Sequence, residues 1–102
     1  MTLKEFLLTR YRSITPIKQN LEGTELKSRV KEDFALDFRG QGYMAENVQQ
    51  SILRFYIRNG YRQFFPRNNY TNFELGGKTF VIIQDWDDVN EISHIIVHEL
   101  LE

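Results

Sequence analysis

Residues 45–60 have the sequence AENVQQSILRFYIRNG and contain the clearest helix signal of the chain. Four apolar side chains recur there at helical spacing and share one predicted face: Val48, Ile52, Phe55 and Tyr56. Gly60 follows them, at the position where a glycine with positive φ commonly ends a helix. The stretch therefore predicts an amphipathic helix from about Ala45 to Asn59 that packs on a core.

Two further helices are predicted before this one. Thr2 and Glu5 match a capping box, in which each side chain accepts a hydrogen bond from the other residue's backbone N–H. Apolar residues follow at helical spacing: Leu3, Phe6, Leu7 and Tyr11. The second helix is predicted over residues 24–38, where apolar residues stand four apart: Leu26, Val30, Phe34 and Phe38. A short helical turn through Ile17 and Leu21 is predicted between the two.

Residues 73–84 predict a β-hairpin. Gly76 and Gly77 supply the positive φ angles that tight hairpin turns require, and the residues after them are rich in β-branched and aromatic types. Residues 61–71, which contain Pro66, are expected to form an aromatic and Asn-rich connection.

Residues 89–101 leave two interpretations open. Asp88 and Glu91 form another capping-box pattern, which favours a helix. The run from Ile95 to Val97 favours a third strand, since an isolated two-stranded hairpin is only marginally stable. A helix is the first choice here, and an antiparallel strand is the alternative.

Together these segments predict one α+β domain: a bundle of three or more short helices, then a small antiparallel hairpin or sheet and a C-terminal helix or strand. Residues 1–60 form the helical part and residues 72–102 the hairpin-containing part. The 102 residues suit a single domain. We expect a cytoplasmic protein with no membrane partner, since no apolar run is long enough to span a bilayer and the N-terminus does not match a signal peptide.

Three segments resemble a known family: Phe6-Leu7-Leu8 with Arg10, Leu26 and Val30 with Asp33-Phe34, and ILRFYIRNG at 52–60. Residues 3–61 are similar in these segments to the YozE-type family of bacterial proteins, which have a sterile-alpha-motif-like helical fold. The resemblance implies a compact bundle of short helices that is used for binding and has no catalytic site.

Charge is unevenly distributed along the chain. Residues 1–73 hold twelve Lys and Arg against seven acids, a net charge of 12 − 7 = +5, whereas residues 74–102 hold one Lys against seven acids, a net charge of 1 − 7 = −6. The segregation indicates either two surfaces with different partners or two parts that neutralise each other within the fold.

The basic part predicts a nucleic-acid-binding surface. Gln50, Ser51, Arg54 and Arg58 are predicted to lie away from the apolar face of the helix at 45–59, and more basic and aromatic residues follow it. Arginine binds phosphate in a bidentate manner and aromatic rings stack on bases. The predicted contacts are Gln50, Arg54, Arg58, Tyr61, Arg62 and Arg67. In the competing interpretation, the arginines only solvate the helix and the rings close the core.

The acidic part predicts an alternative function. Asp85, Asp87, Asp88 and Glu91 would contact a protein partner, so that the chain acts as an inhibitor or regulator, for example a phage-type inhibitor of a host nuclease.

Catalytic and metal motifs give no comparable signal. His94 and His98 are four residues apart but lack the Glu placement of a zinc motif, and the chain has no Cys. We therefore expect a protein that is not an enzyme, with no cofactor, no metal and no small-molecule substrate.

Overall fold

The computed structural model describes residues 1–17, 28–67 and 70–101. In these residues the chain forms two helices and six strands, with the following bounds: α1 Leu3–Arg10, β1 Thr15–Ile17, β2 Ser28–Asp37, α2 Ala45–Arg58, β3 Arg62–Arg67, β4 Tyr70–Leu75, β5 Lys78–Asp87 and β6 Ile92–Leu100. The strands form one antiparallel sheet in the order β1-β2-β6-β5-β4-β3. The α+β class is confirmed, but the bundle of three or more helices is wrong.

The predicted helix at 24–38 is wrong in its described part, because residues 28–37 form β2. A spacing of four residues fits a strand as well as a helix, since residues i, i+2 and i+4 share one face of a strand. Phe34, Leu36 and Phe38 are all buried on one side in this way, whereas Val30 is exposed. The helical turn predicted through Ile17 and Leu21 is wrong at Ile17, which is the last residue of the short strand β1. Residues 18–27, and with them Leu21, lie outside the described part.

The C-terminal helix is also wrong, and the alternative strand is confirmed. Residues 92–100 form β6, which pairs with β2 on one side and β5 on the other. Every residue from Ser93 to Glu99 is buried, because a central strand is covered on both faces. The capping box at Asp88 and Glu91 is absent, since Glu91 lies in a turn with a φ of 51°.

The local predictions for α1, α2 and the hairpin are confirmed. The backbone N–H of Glu5 donates to Thr2 Oγ1 at 3.1 Å, and that of Thr2 donates to Glu5 Oε2 at 3.3 Å. Gly60 follows α2 with a φ of 85°, and the turn between β4 and β5 has φ values of 57° and 78° at its two glycines. The connection predicted at 61–71 is instead largely the edge strand β3, whose Pro66 is tolerated there.

Both helices pack on one face of the sheet. The main buried cluster joins residues of α1 and α2 to residues from alternate positions of the strands: Leu3, Leu7, Val48, Ile52, Phe34, Leu36, Phe73, Ile82 and Ile95. Tyr11 at the end of α1 contacts the first half of α2, and Phe6 contacts Phe55 in its second half, so the helices are antiparallel. In the described part, no helix has the length and apolar character needed to cross a membrane.

Candidate functional site

The contact between the helices is built on a buried hydroxyl pair. The Tyr11 hydroxyl lies 2.6 Å from Ser51 Oγ, and both hydroxyls are within hydrogen-bond distance of the carbonyl oxygen of Asn47, at 3.2 and 3.1 Å. Ser51 is only 1% exposed. Its predicted place on the outer surface beside Arg54 is therefore wrong, because this side of α2 is covered by α1.

A groove of about 270 Å³ opens beside this contact. Its described lining consists of Arg10, Tyr11, Tyr43, Asn47, Gln50, Ser51 and Arg54. Arg10, Gln50 and Arg54 are exposed, so two guanidinium groups from different helices are available at one concave surface. Guanidinium groups bind phosphate and carboxylate oxygens with paired hydrogen bonds. The groove can therefore hold an anionic group between α1 and α2.

Aromatic packing fixes the floor of the groove. The rings of Tyr11 and Tyr43 are 4.6 Å apart at 73°, and both contact Phe38, at 5.4 and 5.9 Å. The guanidinium carbon of Arg10 lies 5.9 Å from the centre of the Tyr11 ring, at the outer limit of a cation–π contact. Arg10 thus stands over a rigid support.

The structure brings together only part of the predicted basic set. Gln50 and Arg54 line the groove, and the exposed Arg58 lies one turn further along the same side of α2. Arg62 begins β3 in register with Glu74. Phe73, the neighbour of Glu74, is buried against the helices, so Glu74 and Arg62 belong to the opposite face of the sheet.

Arg67 and Tyr61 are the remaining two residues of the predicted nucleic-acid contacts. Arg67 is the last residue of β3, and its side chain lies outside the described part. Tyr61 is half-buried and packs on Tyr56 at 4.9 Å and Phe80 at 5.3 Å, so its ring belongs to the core packing. The ring thus packs with the core, as the competing interpretation has it, and it also lines a cavity near the end of α2.

The sequence prediction missed Arg10 and Tyr43. Both precede α2, and only the antiparallel packing of α1 against α2 brings Arg10 near Arg54. A basic residue in the last turn of a helix is ordinarily explained by the helix dipole. No signal in the sequence relates Arg10 to Arg54, and no aromatic periodicity identifies Tyr43.

The predicted acidic surface surrounds the turn between β5 and β6. Asp87 accepts hydrogen bonds from the backbone N–H groups of Val89 and Asn90 at 3.0 and 3.2 Å, and the Asn90 side chain donates to it at 2.8 Å. These bonds, the side-chain one above all, lower the pKa of Asp87. Glu91 Oε2 accepts from the backbone N–H of Gly40 at 3.0 Å. Half of the predicted acidic set therefore holds turns.

Asp85 and Asp88 are the other two residues of the predicted acidic surface. Asp85 lies on β5 in register with His94, and Asp88 is exposed in the turn. Further along β6, Glu99 is buried and pairs with Lys31 at 3.0 Å and Lys78 at 3.4 Å. The basic and acidic parts of the chain thus neutralise each other in part within the sheet.

The two histidines are on β6 and share one face of the sheet. His94 Nε2 lies 2.8 Å from Asp33 Oδ1. Burial lowers the pKa of His98. No three or more His, Cys, Asp or Glu side chains of the described residues are arranged to hold a metal ion.

Comparisons of the chain with models of protein families, with curated proteins and with solved structures found no match. The similarity of residues 3–61 to the YozE-type family stays a prediction. The described residues that it places in a helix around Asp33-Phe34 form strand β2 instead.

Proposed function

We propose that this protein is a non-enzymatic binding module that contacts nucleic-acid phosphates through the groove between α1 and α2. The observation that carries the proposal is the convergence of Arg10 and Arg54 from two helices on one concave surface, which Gln50 also lines. Arg58 extends the basic side of α2 beyond the groove. Such guanidinium and amide donors are the groups that commonly position a nucleic-acid backbone.

The local charge supports an anionic ligand. α1 and α2 together carry four cationic side chains and two anionic ones: Lys4, Arg10, Arg54 and Arg58 against Glu5 and Glu46. Glu46 precedes Arg54 by eight residues, which is about 12 Å along the helix axis. That separation exceeds the Debye length of about 8 Å at physiological ionic strength, so Glu46 weakens the field at Arg54 only slightly.

Charge reversal in the groove tests this function. We expect Arg54→Glu to weaken the binding of a fluorescently labelled oligonucleotide at least tenfold, because it removes an attraction and adds a repulsion. Lys4→Glu is the matched control. Lys4 lies six residues before Arg10, about 240° around the helix axis and about 9 Å along it, outside the groove.

The two variants make the same change in net charge and both replace exposed side chains. We therefore expect them to keep the melting temperature of the unmodified protein. Equal weakening by both variants would show that net charge alone attracts the oligonucleotide. Unchanged binding by Arg54→Glu would refute the proposal that the groove binds it.

The acidic turn gives a second candidate function, the binding of a basic protein. Val89 is 90% exposed beside Asp88, in a turn that the Asp87 carboxylate holds in place. An apolar side chain among carboxylates suits a partner with a cationic, partly apolar surface, such as the nucleic-acid channel of a nuclease. Inhibition of a bacterial nuclease by the unmodified protein, and its loss in Val89→Lys, would favour this function over the first.

A further inference from the structure

A second cavity, of about 330 Å³, lies at the other end of the helix pair, near the start of α1 and the end of α2. Its described lining includes four aromatic side chains: Phe55, Tyr56, Tyr61 and Phe80. Leu3 and Val97 add apolar surface, while Lys31, Glu32 and Asn59 supply polar groups. The volume lies within the range of small-ligand sites, and an apolar wall with few polar groups is typical of them.

The rings form a series of steep angles. Phe55 and Tyr56 meet at 88° with centres 5.2 Å apart, Tyr56 and Tyr61 at 81° and 4.9 Å, and Tyr61 and Phe80 at 67° and 5.3 Å. At these distances the rings contact one another edge to face, and Phe55, Tyr56 and Phe80 are each 8% exposed or less, so the four rings form one rigid aromatic wall. The half-buried Tyr61 is the most exposed ring of this wall. A flat aromatic ligand can stack on the exposed part of this wall.

The carboxylates near the cavity are bonded within the protein. Glu32 accepts hydrogen bonds from the backbone N–H groups of Leu3 and Lys4, both at 3.1 Å. Glu99, behind the wall, is held by Lys31 and Lys78. Because both carboxylates are engaged in this way, they do not draw a cationic ring into the cavity, and a neutral ring fits it.

The polar groups suit a ring with hydrogen-bonding edges. Burial, together with the nearby charge of Glu32, raises the pKa of Tyr56 and of Tyr61, so both hydroxyls keep their protons. Asn59 lies at the rim and uses its side-chain nitrogen to donate to the Phe55 carbonyl at 2.7 Å. A neutral, flat ring with polar edges describes a nucleobase.

We propose that this cavity takes one unpaired base of a single-stranded nucleic acid. The inference rests on the proposed function, because the strand is held by its phosphates on the basic side of α2. Arg58 is exposed and directly precedes Asn59 at the rim, so it is placed to contact the phosphate of the inserted nucleotide. From Arg54 to Asn59 the helix advances about 7.5 Å, which a flexible strand spans within a few nucleotides.

The proposal separates single strands from duplexes. A base in a duplex is paired and stacked, and it enters a pocket only after it has been flipped out at a cost in free energy. A single strand presents its bases freely, and stacking on aromatic side chains contributes about 1–3 kcal/mol per base. We therefore expect a base-containing single strand to bind about fivefold or more tightly than an abasic strand of the same length and charge.

The experiment measures the affinity of the unmodified protein for three ligands at one low salt concentration: oligothymidylate, an abasic strand of equal length and the corresponding duplex. Equal affinity for oligothymidylate and the abasic strand, or tighter binding of the duplex, overturns the base site. Either result remains consistent with phosphate binding in the groove. Absence of binding to all three ligands overturns both the groove and the base site.

Variants at the rim locate the base. Asn59→Trp fills the mouth of the cavity, and Asn59→Ala removes the same amide without filling it. We expect a strand that carries 2-aminopurine to lose its fluorescence on binding to the unmodified protein and to Asn59→Ala, since stacking quenches this base. The proposal requires Asn59→Trp to abolish the quenching while its melting curve stays cooperative, and persistent quenching in that variant overturns it. The abasic comparison decides the question if Asn59→Trp fails to fold.

Discussion

The salt dependence of binding is the sharpest prediction from the basic side of the helix pair. Three described arginines lie there: Arg10, Arg54 and Arg58. Each phosphate that a protein neutralises on a single strand contributes about −0.7 to the slope of log K against log salt, so three contacts predict a slope of about −2.1. Between 50 and 200 mM salt the affinity should therefore fall roughly 20-fold.

Neutral substitutions show which arginine contributes to that slope. Without the Arg54 guanidinium, two contacts remain, so Arg54→Ala should have a slope of about −1.4 and lose roughly sevenfold over the same range. Lys4→Ala removes one positive charge outside the groove and should keep the steeper slope. Fluorescence anisotropy of a labelled single strand, repeated at four or more salt concentrations, gives both values.

Two results would refute this reasoning. A slope near zero in the unmodified protein would mean that phosphates make no substantial contribution, whatever the affinity. Identical slopes for Arg54→Ala and the unmodified protein would mean that the strand binds elsewhere on the surface. In the second case the same series with Arg58→Ala distinguishes the end of α2 from the remaining surface.

Two further predictions concern stability. Tyr11→Phe should lower the free energy of unfolding by about 1 kcal/mol, since it removes the buried hydroxyl 2.6 Å from Ser51, and the melting temperature should fall by about 4–8 °C; an unchanged melt would show that this hydrogen bond adds no net stability. Ion pairs with Lys31 and Lys78 lower the pKa of Glu99, so the stability they add is present above the ordinary Glu pKa of about 4.3 and is lost as pH falls through the lowered value. Glu99→Gln should therefore melt lower than the unmodified protein at neutral pH and approach it in acid, and a difference that stays constant with pH would contradict this.

Segments with complete local signals could be predicted from the sequence. α2 combines an apolar face with a glycine after its last turn, and α1 has a capping box whose two hydrogen bonds both form. The turn between β4 and β5 needs two positive φ angles, and Gly76-Gly77 supplies them. Each of these features depends on residues a few positions apart, so tertiary packing had little opportunity to override them.

The two strands that were predicted as helices depend on pairing across the chain. β2 pairs with β6, from which it is separated by more than fifty residues. In the paired strands, residues 34–36 of β2 and residues 93–99 of β6 are buried. Phe34 and Phe38 are four residues apart, a spacing that fits one face of a helix or of a strand. Leu36 lies midway between them, and its burial on the same side is what favours the strand. In β6 the run from Ile95 to Val97 is apolar throughout because both faces of this central strand are covered.

The same error explains why the lining of the proposed groove was predicted only in part. In the predicted bundle, the helix at 24–38 could pack against both α1 and α2. The sequence then gives no reason to expect that α1 packs directly on α2. Because residues 28–37 instead form a strand in the sheet beneath them, α1 and α2 pack side by side in the described part of the chain, and Arg10 and Arg54 line the same groove. Arg62 is close to Arg58 in sequence, but the start of β3 places it in register with Glu74 on the other face. Proximity in the sequence therefore grouped Gln50 with Arg54, which both line the groove, whereas Arg10 joins them only through the antiparallel packing of the helices.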